Sequence, residues 1–301
     1  MINGHNSCEY LDDNKNVALI DDETHPLYII KGEKNFLIDS GITAKAKKYY
    51  KTIAETFPNL EINTLLLTHS HFDHVGAASF LQDIYNFNIA GSHETVELLK
   101  NPDMIDMIDY QNQELKELFA DHSTVKCEPL KKLAGLGNGD KLEVSPGIFI
   151  EAIACPGHSS CSLSFLLHPD MVLFTGDSAG MMEKNGEKRA IFFSGFKEYE
   201  NTLLKLAALE PHILAFAHAR YIKGKDNGKQ YFEESLAAAR KLKDRFLYDL
   251  MKGRNKIEIA ENFLETGYIP ASIMGSRDSY MMHLMAMADI IKKEFIKTNY
   301  R

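Results

Sequence analysis

The stretch THSHFDHVG, Thr68–Gly76, places three histidines and one aspartate within six positions. It continues the apolar run NTLLL, which has the composition of a buried strand. Side chains two positions apart in an extended segment point the same way, so His69 and His71 leave the strand as a pair able to hold one metal ion. Asp73 and His74 are adjacent and diverge, so they could serve a second ion. The alternative is a polar loop with histidines by chance, but the pattern favours half of a metal site.

Three further candidate ligands occur in a comparable setting downstream. The run IACPGH ends in His158, LFTGD ends in Asp177, and LAFAH ends in His218. Each follows an apolar, strand-like run, as His69 does. We expect these strand ends to converge on one edge of a sheet, where open α/β sheets commonly place their sites.

The rest of the first 227 residues alternates short apolar runs with helical patterns. The strand candidates are LYIIKG, NFLIDSG, NTLLLTH, GIFIEAIACPGH, LSFLL, MVLFTGD and HILAFAH. The helix candidates are AKAKKYYKTIAETF, AASFLQDIYNF, ETVELLK, MIDMIDYQNQELKELFA and EYENTLLKLAAL. The breaks GLGNGDK and EVSPG are typical of hairpin turns. This mixture predicts sheets covered by helices, an α/β or α+β architecture.

After the segment GKDNGK the pattern is helical only. One apolar stripe contains Phe232, Leu236, Ala239, Leu242, Phe246 and Leu250. A shorter helix is predicted around KIEIAENFL, and a last helix has a stripe of Met281, Leu284, Met285, Ala288, Ile291 and Phe295. Residues three or four apart share one helix face. We therefore expect a mixed domain of strands and helices over 1–227, which would contain the metal site, and a C-terminal helical region over 228–301.

Composition limits the classes of partner. The 301 residues have a formal net charge of −8, which argues against a nucleic-acid partner. The start MINGHNSCEYLDDNKN lacks the pattern of a signal peptide, and no apolar run reaches the about 20 residues of a membrane helix. The four cysteines, Cys8, Cys127, Cys155 and Cys161, are too scattered for a disulfide framework. We expect a cytoplasmic protein with a small-molecule substrate and no membrane partner; the apolar face of its last helix is compatible with a homodimer.

The segment THSHFDHVG resembles the His-x-His-x-Asp-His signature of the metallo-β-lactamase superfamily. The later Pro-Gly-His, Thr-Gly-Asp and final histidine follow the order of that family, and NFLIDSG is similar to its early Asp-Ser/Thr-Gly turn. The resemblance covers about residues 15–225. It implies an αββα sandwich with a dinuclear metal centre at one edge and, in this chain, a C-terminal helical appendage.

The resemblance also assigns the ligands. One ion would take His69, His71 and His158, and the other would take Asp73, His74 and His218, with Asp177 bridging both. Asp39 would lie under the site and support a ligand. Histidine and carboxylate donors suit two divalent ions, zinc first, with iron or manganese as alternatives.

The ligand set also separates branches of the family. True β-lactamases typically lack the bridging aspartate and use a cysteine on the second ion, and the flavodiiron branch has a glutamate where this chain has His71. No inserted nuclease domain or basic RNA-binding surface is recognisable. This leaves the hydrolase branch with a complete dinuclear ligand set. Within that branch the chain resembles glyoxalase II, which also has a C-terminal helical domain. The layout is similar as well to the bacterial quinolone-signal response protein PqsE, a thioesterase of this fold.

The resemblance implies that a metal-bridging hydroxide, oriented by Asp73, attacks the substrate. A thiolate with a pKa near about 8.5 leaves without protonation, so thioester hydrolysis is the first interpretation. Phosphodiester hydrolysis is the second. An iron-dependent persulfide dioxygenase and a regulatory protein with a vestigial metal site are the alternatives from other classes.

Several other conspicuous residues are expected to lie outside the metal site. Surface or structural roles are predicted for His5, His25, His93, His122, His168, His212 and His283, with His93 at a helix start. Cys155 and Cys161 are expected to be small buried residues. The segment MMEKNGEKRAIFFSGF, with Phe192, Phe193 and Phe196 predicted as exposed, is either a loop over the substrate or a packed connector. Met281, Met282 and Met285 indicate core packing or the wall of an acyl pocket.

Overall fold

The fold was analysed in a computed structural model, which describes residues 8–20, 24–118, 124–183, 185–267 and 277–296. The chain divides into two compact units. The first comprises residues 1–154, 161–176 and 212–222, and the second comprises residues 155–160, 177–211 and 223–301. Within the described helices, none combines the length and apolar character needed to span a membrane.

The first unit begins with a seven-stranded sheet whose strands follow each other in chain order. They are β1 (Cys8–Tyr10), β2 (Val17–Ile20), β3 (Leu27–Ile30), β4 (Phe36–Ile38), β5 (Thr64–Leu66), β6 (Asn88–Ser92) and β7 (Leu133–Leu136). Pairing is antiparallel from β1 to β4 and parallel from β4 to β7. The carboxyl ends of β4, β5 and β6 therefore share one edge of the sheet.

Helices cover one face of this sheet. They are a 3₁₀ turn (Thr43–Lys45), α1 (Ala46–Thr56), α2 (Phe72–Val75), α3 (Ala78–Tyr85), α4 (His93–Leu99) and α5 (Pro102–Leu118). Alternate strand residues such as Ile29 and Leu65 form a buried cluster with Tyr49, Ile53 and Leu81 from the helices. Every second strand residue points to this face, and the apolar stripes of the helices pack on those residues. The packed side chains exclude water from this face of the sheet.

A second sheet packs against the other face. Its order is β15-β14-β11-β10-β9-β8. The strands are β8 (Lys141–Ser145), β9 (Ile148–Ala154), β10 (Leu163–His168), β11 (Val172–Phe174), β14 (Ile213–Ala215) and β15 (Tyr221–Lys223). Tyr28 and Ile30 of the first sheet share a buried cluster with Phe165 and Phe174 of the second. The ring centroids of Tyr28 and Phe174 are 5.4 Å apart, so the two sheets interdigitate as a sandwich.

The second unit is mainly helical. It contains the short hairpin β12 (Met181–Met182) and β13 (Lys188–Arg189), then α6 (Phe196–Ala207), α7 (Lys225–Met251), α8 (Lys256–Gly267) and α9 (Arg277–Ile291), which ends in a π-helical turn (Lys292–Ile296). On α7 the predicted stripe is buried at Phe232, Ala239 and Phe246. On α9 it is buried at Leu284, Ala288 and Ile291, so the helical periodicity is confirmed.

Some local predictions are wrong. GLGNGDK joins β7 of one sheet to β8 of the other and is not a hairpin turn, whereas EVSPG does close the hairpin β8–β9. Helix α7 begins at Lys225, inside the segment predicted as a break, with Gly224 in a left-handed conformation before it. The division of the chain into domains at residue 228 stays a prediction.

Two predictions about exposure are also corrected. Phe192 and Phe196 are buried, with ring centroids 5.2 Å apart, because they pack on each other and on helix α6; this supports a packed connector. Only Phe193 of the three is half-buried. Met282 is 62% exposed, so it does not belong to a core, while Met281 and Met285 are half-buried.

Candidate metal centre

The strand ends place the ligand candidates as the sequence predicts. His69 and His71 follow β5, His158 follows β9, Asp177 follows β11 and His218 follows β14. After an extended His71 the chain forms the single helical turn α2, which contains Asp73 and His74. Adjacent residues on a helical turn point about 100° apart, and this accounts for the divergence of Asp73 from His74.

Five of the seven predicted ligands lie together in the first unit. The ring centroid of His69 is 4.4 Å from that of His71 and 4.1 Å from that of His74. Asp73 Oδ2 is 3.2 Å from His218 Nε2 and 3.8 Å from His74 Nε2. Asp73 and His71 are partly exposed and the other three side chains are buried, so the cluster has a polar, largely enclosed interior.

Asp39 supports this cluster from behind. Its Oδ1 accepts a hydrogen bond from the backbone N–H of Thr68 at 2.8 Å, and its Oδ2 accepts from Thr68 Oγ1 at 2.9 Å. Oδ2 also lies 2.8 Å from His74 Nδ1. Because an ionised carboxylate only accepts hydrogen bonds, Nδ1 of His74 carries the ring proton and Nε2 keeps its lone pair. The supporting position predicted for Asp39 is therefore observed.

His218 is held in the same way by a backbone carbonyl. Its Nδ1 is 3.0 Å from the carbonyl oxygen of Thr24, which can only accept a hydrogen bond. With Nδ1 donating to this carbonyl, Nε2 is the ring nitrogen that faces Asp73. Anchoring of the far ring nitrogen is the usual arrangement of metal-binding histidines.

The second unit contains the other two predicted ligands. His158 Nε2 lies 3.4 Å from Asp177 Oδ2, and both side chains are buried. His158 Nδ1 is 3.0 Å from the carbonyl oxygen of Ile191 and donates to it, so Nε2 is the ring nitrogen that faces Asp177. The preceding Gly157 has φ +128°, and an added Cβ would lie 2.3 Å from the backbone nitrogen of Tyr199. Glycine is therefore required for the turn that presents His158.

Two buried phenols lie near Asp177. Burial raises the pKa of Tyr199 and of Tyr231, and the charge of Asp177 raises both further. Both side chains therefore stay neutral, and Tyr231 Oη donates to the carbonyl oxygen of Ala179 at 3.3 Å. Neither phenol therefore adds a charge near Asp177.

Two of the remaining histidines, His93 and His168, occupy structural positions. His93 begins α4, and Ser92 Oγ caps that helix by accepting from Thr95 N–H at 3.0 Å, as the prediction of a helix start requires. His168 stacks on Phe149 and lies 3.1 Å from Glu151 Oε2. Of the others, His212 is exposed and His283 is half-buried, whereas His5 and His122 lie outside the described residues.

The cysteines agree with the predicted role as small buried residues. Cys155 and Cys161 are both buried and unoxidised. Among the described residues, the groups spaced for a metal ion contain only histidine and aspartate. A cysteine ligand of the β-lactamase type is therefore not part of those groups.

His25 was not among the ligands predicted from the sequence. It was expected to be a surface or structural residue, but it is 8% exposed and its Nε2 lies 3.8 Å from Asp73 Oδ2. Ligand atoms of His25, Asp73 and His218 all lie within 4.8 Å of one another. No motif in the sequence marks this residue, because it precedes a strand instead of following one.

The donors fit divalent cations. Imidazole nitrogens and carboxylate oxygens are the ligands of zinc, iron and manganese in proteins. In His74, His158 and His218 an acceptor fixes the proton on Nδ1 and leaves Nε2 beside an aspartate oxygen. Neutral, oriented imidazoles next to carboxylates are what binding of such a cation requires.

Comparison with known proteins agrees with this geometry. Residues 20–218 match the profile of the metallo-beta-lactamase superfamily. The chain belongs to this superfamily. The matched range contains all seven predicted ligands, and membership in a superfamily of metallohydrolases supports hydrolytic activity dependent on divalent metal ions.

Two relatives indicate the range of the similarity. The metallo-beta-lactamase fold-containing protein ST1585 of Sulfurisphaera tokodaii is 25% identical over 221 residues, covering 67% of this chain and 76% of the relative. The hydroxyacylglutathione hydrolase GloC of Haemophilus influenzae is 31% identical over 195 residues, covering 63% of this chain and 82% of the relative. The expected relation to the glyoxalase II type of hydrolase is thus confirmed as a similarity.

Solved structures confirm the fold. The metallo-beta-lactamase family protein TTHA1429 of Thermus thermophilus has a TM-score of 0.63 at 20% identity, covering 92% of this chain and 89% of the other. A beta-lactamase domain protein of Burkholderia ambifaria has a TM-score of 0.68 at 14% identity, with coverages of 97% and 88%. The αββα superfamily fold with a helical C-terminal segment is therefore confirmed.

Proposed function

We propose that this member of the superfamily is a dinuclear metal-dependent hydrolase of a small-molecule thioester. In this proposal His158 and Asp177 join the five ligands of the first unit. One ion would be held by His69, His71 and His158. The other would be held by Asp73, His74 and His218, and Asp177 would serve both.

The hydrogen bonds that orient three of the ligand histidines are the observation that supports this assignment most strongly. Three of the proposed ligand histidines have an acceptor on Nδ1, at 2.8 Å for His74 and 3.0 Å for His158 and His218. In each of them Nε2 faces an aspartate oxygen, an arrangement that a structural role does not require but that metal binding does. Two divalent ions, when bound here, would supply an acidic water as nucleophile and a Lewis acid for the carbonyl oxygen.

Asp73 is assigned a catalytic role in addition to ligation. It is partly exposed, and its Oδ2 lies between His218 and His74. A carboxylate in this place accepts a hydrogen bond from the attacking water and orients it towards the substrate. No serine or cysteine nucleophile is needed.

The choice of a thioester rests on leaving-group chemistry and on one relative. A thiolate with a pKa near about 8.5 leaves at neutral pH without a proton donor, whereas an amide nitrogen requires one. The similarity to a hydroxyacylglutathione hydrolase, 31% identical, supports the same bond type here. The metal is proposed to be zinc, with iron and manganese as alternatives to be decided by metal analysis.

The surroundings of His158 in the second unit are suited to an acyl group. The ring of the half-buried Phe193 lies 5.3 Å from that of His158, and its other neighbour is the ring of His283 at 5.1 Å. Aromatic surface beside a polar centre binds the apolar part of a substrate while the reacting bond lies at the polar side. We therefore propose Phe193 as part of the acyl-binding wall.

The test is a substrate panel on metal-loaded protein. Acyl-glutathione and acyl-CoA thioesters are compared with bis(p-nitrophenyl) phosphate for the wild type, His69→Ala and, as control, His212→Ala at an exposed histidine. We expect thioester turnover by the wild type and the control and its loss in His69→Ala. Turnover of the phosphodiester alone would refute the thioester proposal and assign phosphodiesters as the substrate class. One bound iron with sulfide-dependent oxygen uptake would refute hydrolysis.

A regulatory role is tested by the same variant. If the protein acts only through contacts with a partner, His69→Ala abolishes hydrolysis but keeps the biological effect in cells. We expect both to be lost together. A retained effect would contradict the proposal that turnover is the function.

A further inference from the structure

His25 reaches the ligand cluster from an unexpected direction in the fold. It lies two residues before β3, which runs antiparallel to β4. The amino end of β3 and the carboxyl end of β4 therefore share an edge of the sheet, and Asp39 follows β4 at that edge. His25 is thus delivered to the same place as the ligands that follow parallel strands.

The distances around His25 match those between ligands of one ion. Its Nε2 is 3.8 Å from Asp73 Oδ2, which is itself 3.2 Å from His218 Nε2. With metal–ligand bonds of about 2.0–2.2 Å, neighbouring donor atoms on one ion lie about 3–4 Å apart. The rings of His25 and His218 meet edge to face with centroids 5.0 Å apart, and each ring has its Nε2 within 4 Å of the aspartate oxygen.

The ring of His25 is also fixed in position. Its Nδ1 lies 2.8 Å from Thr24 Oγ1, which accepts a hydrogen bond from Lys45 Nζ at 2.6 Å. The carbonyl oxygen of the same Thr24 anchors His218, so one residue aligns both histidines. Tyr49 Oη donates to the carbonyl oxygen of His25 at 2.9 Å and holds its backbone. When Nδ1 donates to this hydroxyl, Nε2 keeps the lone pair that a metal ligand needs.

From this geometry we propose that His25 is an additional metal ligand, on the ion bound by Asp73, His74 and His218. The inference rests on the metal centre of the proposed function and extends it by a residue outside the family's seven-ligand set. A further imidazole on this ion strengthens its binding relative to the ion held by His69 and His71. It also leaves fewer coordination positions open to water and substrate on that side.

The test measures metal binding directly. Metal-free wild type, His25→Ala, His25→Gln and the control His212→Ala are titrated with Zn²⁺ in competition with a chromophoric chelator. We expect two bound ions in the wild type and the control, and in both His25 variants a loss of at least about tenfold in affinity at one of the two sites. The absorption spectrum of bound Co²⁺ should change in both variants, because its intensity depends on the number of ligands.

Glutamine separates ligation from hydrogen bonding. Its amide can still donate to Asp73 but replaces an imidazole poorly as a ligand. Wild-type affinity in His25→Gln would overturn the proposal and make His25 a hydrogen-bond partner only. Unchanged affinity in His25→Ala would overturn it as well. Circular dichroism of the metal-free variants checks that the fold is retained, and glutamine preserves most of the buried volume.

The outcomes also distinguish this inference from the proposed function. If the wild type binds two ions through His25 but hydrolyses no thioester, the substrate assignment fails and the ligand assignment stands. If thioesters are hydrolysed and His25 variants keep both ions, only the additional ligand is refuted. A wild type that binds fewer than two ions refutes both.

Discussion

Asp39 is the residue whose change best tests the logic of the metal centre. Asp39→Asn keeps the size of the side chain and one acceptor oxygen. The residue has φ +54°, a left-handed conformation that asparagine adopts more readily than most residues, so the backbone is not strained further. The substitution therefore changes the hydrogen bonds to Thr68 and His74 and removes one negative charge.

The expected effect follows from the proton on His74. The wild-type carboxylate accepts from His74 Nδ1 at 2.8 Å and from Thr68 at 2.8 and 2.9 Å, which fixes the lone pair of His74 on Nε2. An amide group has one acceptor oxygen for these three donors and adds an N–H₂ group. If that group faces His74, the ring proton moves to Nε2 and blocks ligation. We expect metal affinity to fall about 10–100-fold, or about 1.4–2.7 kcal/mol.

The measurement is the chelator competition described above, applied to Asp39→Asn and to Asp140→Asn as a control. Asp140 is exposed and its carboxylate accepts from Gly137 N–H at 2.8 Å in a turn. Both variants lose one carboxylate charge, so the net charge changes equally. Equal affinities of Asp39→Asn and the wild type for both ions would refute the argument that Asp39 sets the protonation of His74.

Three predictions concern the stability of the fold. In urea unfolding, Gly157→Ala should destabilise the protein more than Gly147→Ala. Both glycines have a left-handed φ, but only at Gly157 would the added Cβ lie 2.3 Å from the backbone of helix α6. Equal unfolding midpoints of the two variants would contradict this. Phe246→Ala should cost about 3–5 kcal/mol, whereas Tyr248→Ala, at a side chain that is 58% exposed, should stay within about 0.5 kcal/mol. Burial raises the pKa of Cys127 from 9.0 to about 12, so its neutral thiol favours the folded state below pH 9. The Cys127 thiol should then lower the free energy of unfolding by about 1.4 kcal/mol per pH unit from pH 9 towards 12, and Cys127→Ala should remove this contribution.

Much of the fold could be predicted because local patterns and burial agree. Short runs such as NTLLL form strands buried on both faces, and these are recognisable by apolar content alone. The histidines at their ends were recognisable because residue type, order and position after a strand coincided at His69, His158 and His218. Each of these signals is local in the sequence.

Features that depend on partners distant in sequence could not be predicted. GLGNGDK contains turn-forming residues, but nothing local indicates that β7 and β8 belong to different sheets. Phe192 and Phe196 stand among polar residues and were predicted to be exposed. They are buried because Phe192 packs on Tyr199 as well, with ring centroids 5.8 Å apart. Such burial is decided by the tertiary neighbours and not by the segment itself.

His25 was missed for a reason of topology that applies beyond this residue. A search for ligands after strands finds the carboxyl ends of parallel strands, but an antiparallel strand brings its amino end to the same edge. β3 does this for His25, and β10, antiparallel to both β9 and β11, does it for Cys161. The sulfur of Cys161 lies 3.5 Å from Oγ of Ser70, the residue between His69 and His71 in the sequence. In a mixed sheet, residues just before antiparallel strands therefore belong among the site candidates, even where no sequence motif marks them.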